Sequence, residues 1–330
     1  MRRPLPPVEE LVTGIRSGSR VVLGQAITLL ESARPDHQVL AQAVIARLLA
    51  GVSGQQSLRI GVTGAPGVGK SSLIEAMGMY ILGQGRRVAV LAIDPTSSIS
   101  RGSILGDKTR MDQLSVAEGA FVRPSPAGDS LGGVARKTRE TILLVEAAGY
   151  NTVLIETVGV GQSEIAVHRM TDVFLLLLLP GAGDELQGIK RGIVEMADVL
   201  AVNKADGARL DLARQAQQYY RQALHLSASR PGGWSPQVVT CSAQEGEGIA
   251  ELWAVITAQQ QLMRQNNFFQ ENRRQQARYW LEEALQTGLQ ALFQANSAAQ
   301  TLLKALEPEV LTGLISPFAA AEQVLHTLQK

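Results

Sequence analysis

Gly64-Ala65-Pro66-Gly67-Val68-Gly69-Lys70-Ser71 has residue types and spacing suited to holding a phosphate chain. Gly64, Gly67 and Gly69 let the backbone curl so that successive N–H groups and a following helix N-terminus point at an anion. Lys70 then reaches the β and γ phosphates, the Ser71 hydroxyl suits magnesium, and Ser72 falls near the α phosphate. The apolar Ile60-Gly61-Val62 ahead of the loop and the helical Leu73-Ile74-Glu75-Ala76-Met77 behind it give the strand and helix that such a loop needs. A purine nucleoside triphosphate with magnesium is the implied ligand.

A phosphate loop says nothing of the base. Asn203-Lys204-Ala205-Asp206, directly after the apolar Leu200-Ala201-Val202, resembles the guanine-recognition motif of GTPases. A carboxylate at Asp206 accepts from both N1–H and the 2-amino group of guanine, whereas adenine offers no such donor pair. Asn203 and Lys204 would brace the loop and cover the ring. Cys241-Ser242-Ala243-Gln244 resembles the second guanine loop, where a backbone N–H meets the guanine O6. Cys241 itself reads as a small buried residue.

Acidic residues at strand ends supply candidates for the metal. Asp94 closes the run Val90-Leu91-Ala92-Ile93 and Glu156 closes Val153-Leu154-Ile155, so both project toward the ligand edge of a sheet. Glu156-Thr157-Val158-Gly159 stands where an Asp-x-x-Gly switch would, with the Gly159 N–H placed to sense a γ phosphate; Asp107, in a glycine-broken loop, is a further magnesium candidate. In the loop 180–190, Lys190 is the residue best able to offset charge on a transferred phosphoryl group.

These residues need a scaffold, and the chain supplies a pattern for one. Apolar runs at Leu58–Val62, Val88–Ile93, Ala120–Val122, Thr152–Ile155, Val173–Leu179, Val199–Val202 and Val238–Thr240 alternate with longer amphipathic stretches. That alternation predicts an α/β fold, a mainly parallel sheet with helices on both faces. Before it, Leu23, Ile27 and Leu30, then Leu40, Val44 and Leu48, recur at helix spacing; beyond Ile249 strand signals stop, and Leu281, Leu285, Leu289 and Leu292 mark a long helix. The polar stretch Gln259–Gln276, with Phe268 and Phe269 inside it, reads as a solvated connection. The expected division is an N-terminal helical extension (1–55), a nucleotide domain (56–258) and a C-terminal helical tail (259–330).

Composition narrows the partners. The 330 residues carry 31 Lys and Arg against 30 Asp and Glu, a net charge of +1 that offers no general attraction to nucleic acid. No run reaches the roughly 20 apolar residues that a spanning helix needs, and no export signal is visible. One cysteine and four scattered histidines offer no metal cluster of the kind a nickel-insertion GTPase uses; a reducing cytoplasm fits.

The long middle segments are more specific. Gly64–Ser72, Asp94-Pro95-Thr96-Ser97-Ser98, 102–111, Glu156-Thr157-Val158-Gly159-Val160-Gly161-Gln162-Ser163-Glu164, 183–190 and Asn203–Asp206 together resemble the MeaB/ArgK-type GTPases, relatives of the human methylmalonic aciduria type A protein. That resemblance covers roughly residues 10–255. It implies a P-loop NTPase of the signal-recognition-particle-like class and slow GTP hydrolysis to GDP with Mg2+. It also implies a chaperone role toward an adenosylcobalamin-dependent acyl-CoA mutase, most often methylmalonyl-CoA mutase, through three switch loops at 94–111, 156–164 and 180–190. A homodimer built through the tail is a further implication, although the glutamine-rich tail departs most from the pattern. The alternative reading is a P-loop kinase, as in the older arginine/ornithine transport kinase naming, with Asp94 as base; Asp206 argues against it.

Overall fold

The computed structural model describes residues 5–50, 57–93, 111–124, 131–157, 163–181, 191–225 and 231–329. Three helices open it, α1 (Val8–Arg16), α2 (Arg20–Glu31) and α3 (Pro35–Leu49). Each buries one apolar stripe: Leu11, Val12 and Ile15 on α1, Leu23, Ile27 and Leu30 on α2, and Val44, Ile45 and Leu48 on α3. The Ser19 hydroxyl accepts from the Val22 N–H to cap α2, and Pro35 begins α3 where its missing N–H costs nothing.

Seven parallel strands follow: β1 (Leu58–Gly64), β2 (Val88–Ile93), β3 (Ala120–Arg123), β4 (Thr152–Thr157), β5 (Val173–Leu178), β6 (Val199–Val202) and β7 (Gln237–Thr240). Their order across the sheet is β3-β2-β4-β1-β5-β6-β7. β1, β2, β4, β5 and β6 are buried along their whole length, which is why they read as unbroken apolar runs. Between strands lie α4 (Lys70–Gly83), α5 (Asp112–Val116), α6 (Leu131–Ala147), α7 (Ser163–His168), α8 (Arg191–Met196) and α9 (Leu210–His225). The opening helices pack on one another and on α6, which lies against β2.

Because every strand is parallel, all C-terminal strand ends share one edge. The chain leaves β1 with neighbours β4 and β5 on either side, so the loop after Gly64 opens at a point where the strand order reverses. In open α/β sheets that is where ligands sit.

After β7 the chain is helical: α10 (Ile249–Gln265), α11 (Phe268–Ala295), α12 (Ser297–Leu311) and α13 (Pro317–His326). Contacts divide it into two compact units, 1–270 and 271–330. The smaller has its own core of Ala299, Leu306, Ala320 and Val324 with Phe293 packed against it. The expected solvated connection over 259–276 is corrected: Gln259 to Gln265 complete α10, and α11 begins at Phe268. Glutamine and arginine are good helix formers, so polarity alone did not break the helix. The break is confined to Asn266 and Asn267, the latter at φ 62, a left-handed conformation that asparagine tolerates. Phe269 is buried beneath the Arg264 guanidinium, 4.8 Å from its ring centre.

At the opposite end of β1 from the loop, Arg59 is held by Glu146 of α6 through two bonds of 2.7 Å, Nε to Oε1 and Nη2 to Oε2. The Ser57 hydroxyl donates to the same carboxylate. With the Arg59 side chain 4% exposed, Glu146→Ala strands a buried charge. It is expected to cost about 3 kcal/mol or more of folding stability, read from urea midpoints. The five residue steps from Arg59 to Gly64 span about 17 Å of strand, so nucleotide affinity of the folded fraction should not change.

Candidate functional site

The loop from Gly64 to Gly69 is positioned by its ends. Gly64 has φ 151, and a Cβ there would lie 2.7 Å from the Leu177 carbonyl oxygen of β5. Gly69, at φ 95, is the residue that caps α4; a Cβ on it would lie 2.6 Å from the Asn203 side-chain nitrogen. Glycine is required at both positions by close approach and by conformation. Val68 is buried in the sheet–helix core, whereas Pro66 and Gly67 face solvent and Ala65 is half-buried.

Lys70 follows, buried among the loop carbonyls. Its Nζ donates to the Gly64 oxygen at 2.8 Å and the Ala65 oxygen at 3.2 Å. An ammonium has three protons, so one more bond is available to a ligand. Burial pushes the lysine pKa down, and the carboxylates of Glu156 and Glu164 oppose that shift. The Ser71 hydroxyl donates to Glu156 Oε1 at 3.0 Å, bringing together a serine and an acid from separate elements, α4 and β4. Ser72 is exposed on the first turn of α4.

The second loop is tied to the first. The Asn203 side chain donates to the Val68 carbonyl at 2.8 Å, and its oxygen accepts from the Ala243 N–H at 3.2 Å. Lys204, at φ 58, donates to the Gly67 carbonyl at 2.7 Å. One buried amide thereby joins the phosphate loop, the end of β6 and the loop after β7.

Asp206 lies beyond, held by the Ser242 hydroxyl on Oδ2 and by Arg209 on Oδ1, each at 2.6 Å. The Ser242 bond, then the Arg209 bond, hold its carboxyl below the usual carboxylate range. Gln244 is exposed in the same loop. Cys241 is buried, and desolvation pushes its thiol up to about 12, so it is an inert packing residue.

Lys70, Ser71, Glu156, Asn203, Lys204, Asp206, Ser242, Ala243 and the phosphate loop thus converge on one edge. Asp94, Asp107, Gly159 and Lys190 lie outside the described residues. Three further residues went unassigned in the sequence. Glu164 is buried and acts on Lys70. Glu75, one helical turn past Ser71 on the same face, accepts from the Gln113 and Leu114 N–H groups at 2.8 and 3.2 Å and so caps α5. Arg209 holds Asp206. Only the i,i+4 spacing of Ser71 and Glu75 was visible beforehand.

Residues 23–298 match the family described as methylmalonyl Co-A mutase-associated GTPase MeaB. The chain belongs to the MeaB family. It is 48% identical over 319 residues to a probable GTPase of Mycobacterium tuberculosis, covering 97% of this chain and 94% of that protein. The mouse methylmalonic aciduria type A homolog, a mitochondrial protein, is 44% identical over 330 residues, covering 98% and 80%. A crystal structure of LAO/AO transport system kinase superposes with a TM-score of 0.79 at 35% identity, covering 99% of this chain and 100% of that one. Membership in the MeaB family makes the fold that of a P-loop GTPase and the ligand a guanine nucleotide.

Asn203→Ala would leave the Val68 carbonyl and the Ala243 N–H without their partner. It is expected to lower stability by about 1–3 kcal/mol and to weaken GDP binding, checked by urea denaturation with and without GDP.

Proposed function

We propose that this chain hydrolyses GTP to GDP slowly, with Mg2+, and uses the cycle to gate adenosylcobalamin loading and protection of an acyl-CoA mutase, one acting on methylmalonyl-CoA. The observation that carries the reading is the Asn203 bridge, which ties the phosphate loop to the loop after β7, whose Ser242 holds the Asp206 carboxylate suited to guanine. Family membership supports the mutase as partner.

In this reading the loop N–H groups and the Lys70 ammonium bind the β and γ phosphates, and Asp206 takes the guanine N1–H and 2-amino group. The Ala243 N–H belongs to the loop assigned to the guanine O6. A hard oxygen-seeking cation fits Ser71 and Glu156, a hydroxyl and a carboxylate 3.0 Å apart at the loop. Ser71 would hold magnesium directly and Glu156 would orient its water, with Asp94 and Asp107 as further proposed ligands. When bound, the metal neutralises charge on the β and γ oxygens. Lys190 is assigned to charge on the transferred phosphoryl group and Gly159 to sensing the γ phosphate.

A kinase would need an acceptor for phosphoryl transfer, and a carboxylate reader of guanine does not favour ATP. We assign residues 259–330 to self-association. Leu281, Leu285, Leu289 and Leu292 repeat along one side of α11 and are 58–66% exposed. Spacings of four, four and three residues suit a second helix, so a homodimer accounts for them. We place the protein in the cytoplasm; among the described residues no helix is long and apolar enough to cross a membrane.

Purified protein should release GDP and phosphate from GTP without any acceptor, and an acyl-CoA mutase should raise that turnover. Turnover that depends on an acceptor would favour the kinase, and no response to any acyl-CoA mutase would overturn the partner assignment. Asp206→Asn should shift preference from guanosine to xanthosine nucleotides, read by competition binding. Replacing Leu285 and Leu289 together by Glu should convert a dimer to a monomer in light scattering while leaving GDP binding in place.

A further inference from the structure

Asp206 has two carboxylate oxygens and about four lone-pair directions. The Ser242 hydroxyl uses one on Oδ2 and the Arg209 guanidinium one on Oδ1. One acceptor direction is left on each oxygen. That remainder matches two parallel donors, the pattern presented by guanine N1–H and its 2-amino group. We infer that Arg209 is a specificity-positioning residue, which with Ser242 fixes the rotation of the Asp206 carboxylate so that both oxygens face the base together. The inference rests on the assignment of Asp206 as the guanine reader.

Two features favour this over a purely structural ion pair. Arg209 lies three residues beyond Asp206, in the short 3-10 turn Gly207–Arg209, so the pair is local and holds no distant elements together. Its side chain is 48% exposed, and an ion pair so exposed adds little to folding stability. What it does fix is an angle. Ser242 alone leaves the carboxylate free to swing about that one bond, whereas two anchors on different oxygens leave no such freedom.

The charges around Asp206 also set when it is ionised. Arg209 and Lys204 both face it, and Ser242 donates to it. Together they hold the carboxyl down, so the acceptor form persists as pH falls. Without Arg209 the group protonates at higher pH, and one of its oxygens then becomes a donor facing a donor.

The test compares GDP with IDP, which lacks the 2-amino group, in competition against labelled GDP on the full chain. Arg209→Ala and Arg209→Met should weaken GDP roughly three- to fivefold and IDP less, so that the GDP-to-IDP preference falls. Acid loss of GDP binding should begin at higher pH than in the parent, while the thermal midpoint stays unchanged. Arg209→Lys, which keeps the charge without the planar fork, should restore the acid limb more fully than the base preference. An unchanged GDP-to-IDP ratio in both Ala and Met variants would overturn the inference, as would a lost ratio accompanied by an equal loss of thermal stability. Asp206→Asn serves as the control. If it shifts preference to xanthosine nucleotides while the Arg209 variants change nothing, only the role of Arg209 fails. If it causes no shift, the base assignment itself fails.

Discussion

The side-chain amide of Asn203 is the constraint on which the site depends. Its nitrogen donates to Val68 in the phosphate loop and its oxygen accepts from Ala243 after β7, and it does both while buried. A buried amide that loses either partner is costly, so the two loops are held at one spacing. In the proposed reading, the distance from the loop assigned to phosphate to the loop assigned to the base is set by protein bonds. Gly69 belongs to the same constraint, because any side chain there would displace the amide.

The sheet makes that spacing possible. Seven parallel strands present their C-terminal ends along one edge, and β1, in the middle, delivers its loop between those of its neighbours. Glu156 from β4 and Ser71 from α4 meet there although 85 residues separate them. Lys70 shows how the edge handles charge. Its ammonium is desolvated, which lowers its pKa, while the bonds to two loop carbonyls and the field of two acids favour the charged form.

Much of this was legible in the sequence because it depends on local conformation. A loop that needs left-handed backbone leaves glycines at fixed spacing, and buried parallel strands leave apolar runs whose ends lie within one or two residues of the strand ends. Asn203 and Asp206 were legible because a short motif carries them after a strand. Arg209, Glu75 and Glu146 were not. Their partners are fixed by where a carboxylate points, and that depends on side-chain geometry or, for Glu75 and Glu146, on tertiary packing. Around Asn266 polarity suggests a long break, whereas helix propensity favours the two helices and two-residue joint that the chain forms. The leucines of α11 were recognised as helical, but periodicity alone does not reveal which face an isolated helix buries.

The strand order also governs when the molecule can come into being. Leu58 pairs with Thr152 and Ile60 with Val173, so β1 gains no neighbour in the sheet until the chain has been made well past residue 150. Loop closures of that length make assembly slow compared with a helical bundle. During synthesis the run Val173–Leu178 must wait, exposed, until β6 emerges to cover its far side. Chaperone demand and sensitivity to translation rate should therefore concentrate on the middle of the chain, where the most aggregation-prone strand precedes the partner that shields it.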